Sequence, residues 1–383
     1  MKTVEAKSFT MYELPGGGFG SREQGSFVPG VWTQVSSAIP EVATTFGTNW
    51  VAMDPSNPGT WYTNVDTRGT WKTTDFGATW NRLGTPGEYD FSGTTDYIDN
   101  AQRVLVDSND PMHMYATQGV AGSTLGFWVT VDGGANWNVP AGFAAIAGST
   151  TNDVTTMVVD PTDFNHVLIG SHSPWAGGSV VAGVLETTDG GLTFTAHAAP
   201  ESWPSGSHGI AFLYDPASQQ GNSSTWLVTT DGDGFWRTTD AGETWTQVAS
   251  GAGFRAVHHG SDFHYDSTGR LWAGSQPFPV YSDDNGVTWS QSTTGLTSAT
   301  YYSVIDDGEN LYTQVANTGN NATGSELPYM TSPTASPGTW VAHNGGAQTF
   351  VDGPFNMLFD AVSDLIIAAQ WSSGIWVLKP VRA

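Results

Sequence analysis

The sequence predicts an all-β protein that folds as a single seven-bladed β-propeller, with four-stranded antiparallel sheets as blades. Two short motifs repeat in phase along the 383-residue chain, and repeats with a period of about 50 residues are typical of propellers. The composition agrees with this fold. The chain contains 47 Gly, 20 Pro and 17 Trp residues, and only 13% of its residues are charged, so it is rich in turns and aromatic side chains.

The first motif is a short apolar run that ends in Asp. Its seven copies follow one another at intervals of 40 to 55 residues. Turn-forming residues come after most of these Asp residues, and a second apolar run follows the turn. Each copy therefore indicates two strands joined by a turn that the Asp side chain opens. The seven residues are Asp54, Asp107, Asp160, Asp215, Asp266, Asp306 and Asp360.

The second motif has the pattern Ser/Thr-x-Asp-x-Gly-x-Thr-Trp and falls later in each period. We expect its Asp to accept backbone N–H groups, its Gly to take a positive φ and its Trp to pack between sheets. The pattern resembles the Asp box of bacterial-neuraminidase-type repeats. A degenerate sixth copy occupies Ser332–Trp340. The five good copies are Thr73–Trp80, Thr130–Trp137, Thr187–Phe194, Thr238–Trp245 and Ser282–Trp289.

Together the motifs predict one domain over residues 1–383. The last unit ends after three strands, and the N-terminal segment 31–37 resembles an outermost strand, so we expect this segment to complete blade seven and close the ring. The predicted blades cover approximately residues 45–83, 101–139, 153–198, 208–250, 255–293, 300–342 and 350–380.

Charge and composition exclude several classes of function. The formal net charge of −24 excludes binding to nucleic acid through phosphate neutralisation. The absence of Cys excludes disulfides and thiolate chemistry. We expect a monomer without metal or cofactor that binds a small molecule or an oligosaccharide, but neither nucleic acid nor membrane. The sequons at Asn222 and Asn321 favour a secreted protein whose signal peptide has been removed, with the cytoplasm as the alternative.

Function is expected on the loops that lead into the first strand of each blade and on those that join strands two and three, because these loops vary while the scaffold repeats. Three of the eight Arg residues map to this face, where they favour a ligand carboxylate or another electron-rich oxygen. The predicted catalytic residues are Asp66, His172 and His208. The predicted substrate-binding residues are Arg68, Arg103, Arg255, Trp50, Trp175, Tyr301, Tyr302, Trp371, Gln118 and Gln276.

Residues 51–80, VAMDPSNPGTWYTNVDTRGTWKTTDFGATW, resemble the first propeller of glycoside-hydrolase family 74 xyloglucanases. The general blade pattern is also similar to sortilin-type and sialidase-type propellers. The resemblance to family 74 implies that Asp66 is a catalytic carboxylate, although Arg68 stands where that family has Gly. The family draws its other carboxylate from a second propeller, so Asp66 would need a partner within this chain. The candidates for that partner are Asp153, Asp231 and Asp233.

Three functions remain open at this stage. The first is a carbohydrate-active hydrolase or uronate-type lyase that uses Asp66 and a loop His, with aromatic loop residues as platforms for sugar rings. The second is a natural-product cyclase of the hetero-Diels–Alderase kind, in which Arg and His hydrogen-bond a carbonyl inside an aromatic pocket. The third is a propeller that binds glycans or proteins without chemistry.

Overall fold

The fold is seen in a computed structural model, and it consists almost entirely of β-strands. One short helix accompanies them, and no helix among the described residues is long and apolar enough to cross a membrane. The structure describes residues 27–39, 48–65, 69–84, 101–118, 126–147, 154–171, 183–200, 203, 206–214, 221–230, 234–255, 257, 262–316, 328–346, 353–371 and 373–382.

The strands follow one another in seven groups along the chain. The closing strand and blades one to three comprise β1 (Trp32–Gln34), β2 (Thr48–Met53), β3 (Trp61–Val65), β4 (Gly69–Thr73), β5 (Asn81–Arg82), β6 (Ala101–Val106), β7 (Met114–Gln118), β8 (Phe127–Thr130), α1 (Ala141–Ala147), β9 (Thr156–Asp160), β10 (Asp163–Gly170), β11 (Gly183–Thr187) and β12 (Thr195–Ala198). Blades four to seven comprise β13 (Ser207–Tyr214), β14 (Gly221–Thr230), β15 (Gly234–Thr238), β16 (Thr246–Ala249), β17 (Phe263–Tyr265), β18 (Leu271–Ala273), β19 (Val280–Ser282), β20 (Ser290–Gln291), β21 (Val304–Asp306), β22 (Asn310–Gln314), β23 (Tyr329–Pro333), β24 (Val341–His343), β25 (Pro354–Asp360), β26 (Leu365–Gln370) and β27 (Gly374–Leu378).

Each group forms one antiparallel sheet, which confirms the predicted seven-bladed propeller. Six sheets have four strands, in consecutive order in five of them and in the order β1-β27-β26-β25 in blade seven. Blade two has three named strands, and an isolated bridge between Val129 and Asn138 stands where its fourth strand would pair. The first strands of the blades, β2, β6, β9, β13, β17, β21 and β25, touch one another in a closed cycle. They therefore surround the axis of the ring.

The N-terminal strand closes the ring as predicted. Strand β1 pairs antiparallel with β27, with Trp32 opposite Leu378 and Gln34 opposite Trp376. The pairing continues past the strand, because the backbone N–H of Val35 donates to the carbonyl of Ile375 over 2.9 Å. Blade seven thus consists of three C-terminal strands and one strand from the other end of the chain.

The Asp boxes are hydrogen-bonded turns. In blade one, Asp75 Oδ1 accepts the N–H of Thr79 over 2.8 Å, and its Oδ2 accepts the Thr79 hydroxyl over 2.6 Å. The Thr73 hydroxyl donates to Asp75 and accepts the N–H of Gly77, which has a φ of 81°. Equivalent bonds recur around Asp132, Asp189, Asp240 and Asp284, with the Asn136 amide in place of the second Thr hydroxyl at Asp132 and the Ser282 hydroxyl in place of the first at Asp284. The predicted turn is confirmed.

These hydrogen bonds also stabilise the ionised form of each box Asp. Burial alone would raise the pKa of the Asp75 carboxyl, but the bonds from Thr79 and Thr73 outweigh it, and the pKa is lowered. In blade four the bonds from Thr244 and Thr238 lower the pKa of Asp240 to about 2. The carboxylate oxygens of the boxes are therefore engaged in holding their own turns.

The boxes also join neighbouring blades. The indole N–H of Trp80 donates to the carbonyl of Val35 over 2.7 Å, so the box of blade one binds the segment that closes blade seven. The hydrophobic clusters lie between adjacent blades. One of them combines Val35 and Ile39 with Trp61 of blade one and Val377 of blade seven. Each blade is thus buried by both of its neighbours, which is possible only in a closed ring.

We predict that Gly77→Ala weakens the ring closure. A Cβ at this position would lie 2.6 Å from Cβ of Val35, and the residue must also keep its positive φ. The two costs together should lower the free energy of unfolding by about 2–4 kcal/mol, measured by urea denaturation. Gly308→Ala is the matched control, since its φ is +88° and its Cβ meets nothing within 4 Å. It should cost only about 1 kcal/mol. Equal losses in the two variants would contradict the contact with Val35.

We also predict loss of stability in acid through the boxes. A carboxyl whose pKa is lower in the folded protein stabilises the fold fully above its unfolded pKa of about 3.9, and this contribution is lost as the pH falls through the folded pKa. The midpoint temperature of thermal unfolding should therefore depend little on these carboxyls above about pH 5, and it should fall steeply between about pH 4 and pH 2. Asp240→Asn should make this drop shallower, and an unchanged slope would argue against the role of the box. The carboxyls concerned belong to Asp75, Asp132, Asp189, Asp240 and Asp284.

Candidate functional site

Several predicted site residues lie outside the described residues. This applies to Asp66, Arg68, His172 and Trp175, and also to the side chain of Gln118. The three carboxylates considered as partners of Asp66 lie outside them as well, namely Asp153, Asp231 and Asp233. The roles assigned to all of these residues stay predictions.

Residues that occupy one equivalent position in the seven repeats lie on or beside the strands that surround the axis. The residue four positions before the motif Asp lies at or near the start of the first strand in six blades, at the end of the ring where loops lead into these strands. The Asp boxes follow the third strands and therefore lie at the opposite end. The residues at this position are Trp50, Arg103, Thr156, Ala211, Asp262, Tyr302 and Asn356.

Arg103 is the buried cation of this end of the ring. Its guanidinium lies 4.2 Å from the ring centroid of Trp50 in the neighbouring blade, and only 7% of the residue is exposed. Its backbone N–H donates to the Thr117 hydroxyl over 3.1 Å, which holds β6 beside β7. Burial lowers the pKa of Arg103 to about 10, and the charge of Asp262 opposes this shift. The sequence prediction named both Trp50 and Arg103, and the structure brings them together.

Asp262 is the partly buried carboxyl whose charge acts on this cation. It lies directly before β17 and accepts hydrogen bonds from the Ser303 hydroxyl over 3.0 Å and from Asn356 Nδ2 over 3.3 Å. Asn356 Oδ1 accepts in turn the N–H of Val51 over 3.0 Å. Burial raises the pKa of Asp262, and the charge of Arg103 acts against this rise. The network joins blades five, six, seven and one, and we call Trp50, Arg103, Asp262, Ser303 and Asn356 the axial site.

The sequence places Asn356 on a loop that leads into a first strand, but it did not identify Asp262 or Ser303 as members of the site. In blade five the sequence favoured Arg255, which stands farther before the motif Asp. The signal that could have found Asp262 is its position four residues before the motif Asp, which it shares with Trp50, Arg103 and Asn356.

Aromatic side chains line the same end of the ring beside the axial site. Tyr302 stacks on Phe355 with ring centroids 4.0 Å apart, and Phe355 stacks on Trp371 with centroids 4.5 Å apart. Tyr302 and Trp371 are buried. Tyr301 is buried as well, and its hydroxyl donates to the carbonyl of Thr297 over 2.9 Å. Packing between blades therefore engages these predicted binding residues.

The remaining predicted residues lie in blades four and five. His208 is completely buried in β13. Arg255 is exposed, and its backbone forms an antiparallel bridge with that of Gln276. The backbone N–H of Gln276 donates to the carbonyl of Arg255 over an N···O distance of 3.2 Å. The structure thus brings Arg255 and Gln276 together, and neither residue takes part in the side-chain hydrogen bonds of Asp262.

Several polar side chains on or directly before the first and second strands of the blades are buried without a hydrogen-bond partner among the described residues. Both amide atoms of Gln370 and the amide nitrogens of Gln102 and Asn64 belong to this group. Such groups ordinarily bind water or a ligand. Further members are Thr155, Thr156, Thr229 and Thr230.

Comparison with known proteins identifies the repeat. The family model of the BNR/Asp-box repeat matches residues 280–291, which include the whole fifth box, Ser282–Trp289. No curated protein matches the chain.

Solved structures share the propeller. A glycoside-hydrolase family 74 enzyme of Niastella koreensis matches 88% of this chain and 52% of its own with 16% identity and a TM-score of 0.63. The match to the family 74 xyloglucanase of Xanthomonas campestris covers 92% of this chain and 54% of the xyloglucanase, with 15% identity and a TM-score of 0.64. The match to YCF48 of Cyanidioschyzon merolae covers 91% of this chain and 98% of YCF48, with 13% identity and a TM-score of 0.60. The chain thus spans about half the length of the two hydrolases, and the likeness shows the fold.

We predict an energetic coupling between Arg103 and Asp262. Arg103→Met leaves a partly buried carboxyl without its cation, and Asp262→Asn leaves a buried cation without its anion. Each change made alone should therefore destabilise the fold more than the same change made in a chain that already carries the other. The coupling energy should be about 1–3 kcal/mol in a double-mutant cycle followed by urea unfolding.

The Arg270–Asp283 ion pair is the matched comparison. Its N···O distance is 2.6 Å, but the Asp283 side chain is 62% exposed. Its coupling should stay below about 1 kcal/mol because solvent screens exposed charges. Additive effects of Arg103→Met and Asp262→Asn would show that the two groups do not interact.

Proposed function

We propose that the protein is a carbohydrate-active enzyme, a glycoside hydrolase or a uronate-type lyase, which binds an oligosaccharide at the axial site. The observation that carries this proposal is the combination of an aromatic face at Trp50 with the polar groups of Arg103, Asp262 and Asn356. Sugar rings offer both an apolar face and several hydroxyl groups, and ligand sites commonly combine apolar walls with a few placed polar groups. The propeller shared with family 74 enzymes supports the proposal.

Two carboxyl groups carry the proposed chemistry. Hydrolysis of a glycosidic bond needs an acid that protonates the leaving oxygen and a carboxylate that acts at the sugar carbon. We assign the acid to Asp262, because burial raises the pKa of its carboxyl even though the charge of Arg103 acts against this rise. We assign the second carboxylate to Asp66 on its resemblance to the catalytic Asp of family 74. In an elimination reaction, His172 would take the role of the base, because His208 is completely buried.

The outer parts of the substrate would meet the remaining predicted residues. We propose that these are Arg68, Trp175, Gln118, Arg255 and Gln276, which the sequence assigns to the loops expected to bind the ligand. A secreted location agrees with the proposal, since polysaccharide substrates lie outside cells.

The test is turnover of a panel of plant and bacterial oligosaccharides. Asp66→Asn and Asp262→Asn should each lower kcat about 10²-fold or more, because each removes one of the two proton-handling groups. A hydrolase releases new reducing ends, whereas a lyase also forms an unsaturated product that absorbs ultraviolet light. Asp283→Asn is the control, since this exposed carboxylate lies at the Asp-box end. Unchanged turnover in Asp66→Asn and Asp262→Asn would remove both residues from the mechanism.

One observation favours the cyclase as a second candidate. The stack of Tyr302, Phe355 and Trp371 forms an aromatic wall beside the axial site, suited to a flat apolar ligand. A cyclase would bind polyene or aromatic ligands with quenching of Trp fluorescence and would not depend on Asp66. Binding of glycans without turnover would instead indicate a binding propeller.

A further inference from the structure

We propose that Arg103 binds a carboxylate of the ligand, so that the substrate of the axial site is an acidic sugar, a uronate-containing glycan. This inference rests on the proposed carbohydrate function and narrows it to one substrate class.

The first argument is the state of the guanidinium. Its face lies against Trp50, and none of its N–H groups donates a hydrogen bond to a described residue. Arg side chains are seldom so buried without partners for their five donors. Stacking on the indole fixes the plane of the guanidinium and leaves its edge for a ligand. A planar edge with parallel N–H groups matches a carboxylate, which it binds with two hydrogen bonds.

The second argument is charge. The chain carries a net charge of −24, so an anionic ligand needs a local cation to enter. Arg103 supplies this cation. The polar groups without a hydrogen-bond partner among the described residues include the hydroxyl of Thr156, which stands at the equivalent position of the neighbouring blade. This hydroxyl suits a hydroxyl group of a sugar.

Asp262 makes the binding dependent on pH. A ligand carboxylate at Arg103 adds a second negative charge near Asp262, whose pKa burial already raises, so binding should be accompanied by uptake of a proton at Asp262. The other groups that face Asp262 are Ser303, Asn356 and His264, and His264 is itself bound to Asp306 over 2.8 Å. Affinity should therefore increase as the pH is lowered from 7, as long as the uronate, with a pKa near 3.5, remains ionised.

The experiment compares acidic and neutral ligands by calorimetry at pH 5 and pH 7. The probes are trisaccharides of galacturonate, mannuronate and guluronate and their carboxyl-reduced neutral counterparts. At least one acidic trisaccharide should bind tenfold or more tightly than its neutral counterpart. Arg103→Met should remove this preference, and Arg103→Lys should retain part of it, because lysine keeps the charge without the planar edge. Arg270→Met, which removes a cation at the Asp-box end, should bind like the parent protein.

Proton uptake gives a second readout that loss of folding cannot imitate. Titrations in buffers of different ionisation enthalpy should show proton uptake on binding in the parent protein and none in Asp262→Asn, which should still bind. Equal affinities for acidic and neutral trisaccharides, unaffected by Arg103→Met, would overturn the acidic-sugar inference and leave the carbohydrate function standing. Failure of every acidic trisaccharide to bind would overturn the inference. Failure of the whole oligosaccharide panel would overturn both.

Discussion

The hydrogen-bonded pairing of β1 with β27 is the constraint on which the rest of the structure depends. Hydrophobic clusters lie between adjacent blades, so every blade needs two neighbours to bury its faces. Blade seven lacks a fourth strand of its own and obtains it from the N-terminal segment. The same segment accepts the indole N–H of Trp80 and so ties blade one to blade seven. Closure through backbone pairing also explains how a chain without Cys can hold its two ends together.

The closed ring makes the axial site possible. Arg103 and Asp262 belong to blades two and five, which are not neighbours, and only the common axis brings them close. Burying a cation and an anion is costly, and their mutual attraction offsets part of that cost. Ser303 and Asn356 offset more of it through hydrogen bonds to the carboxyl. Much of this end of the ring is engaged in its own packing, whereas the guanidinium edge of Arg103 and the unpaired polar groups suit a ligand.

Local chemistry was readable from the sequence where a repeat exposed it. The Asp and Gly of the boxes form the predicted turns because the Asp side chain, the N–H groups that it accepts and the Gly with positive φ all lie within eight residues of the chain. The individual site was harder to read. Trp50 and Arg103 were found, since large aromatic and cationic residues stand out on loops. Asp262 was missed, because a single Asp does not stand out in an acidic chain. It becomes noticeable only when its position relative to the motif Asp is compared with the same position in the other blades.

The sequence by itself determined the number of blades, the turn chemistry of the boxes and the strand that closes the ring, because each depends on periodic or local interactions. The tertiary structure alone decided which side chains meet at the axis and how deeply each is buried. Tyr301 and Trp371 belong to predicted loops, yet both are buried, since their exposure depends on neighbouring blades. The meeting of Arg103 with Asp262 depends on the curvature of the whole ring, which the residues near either side chain do not specify.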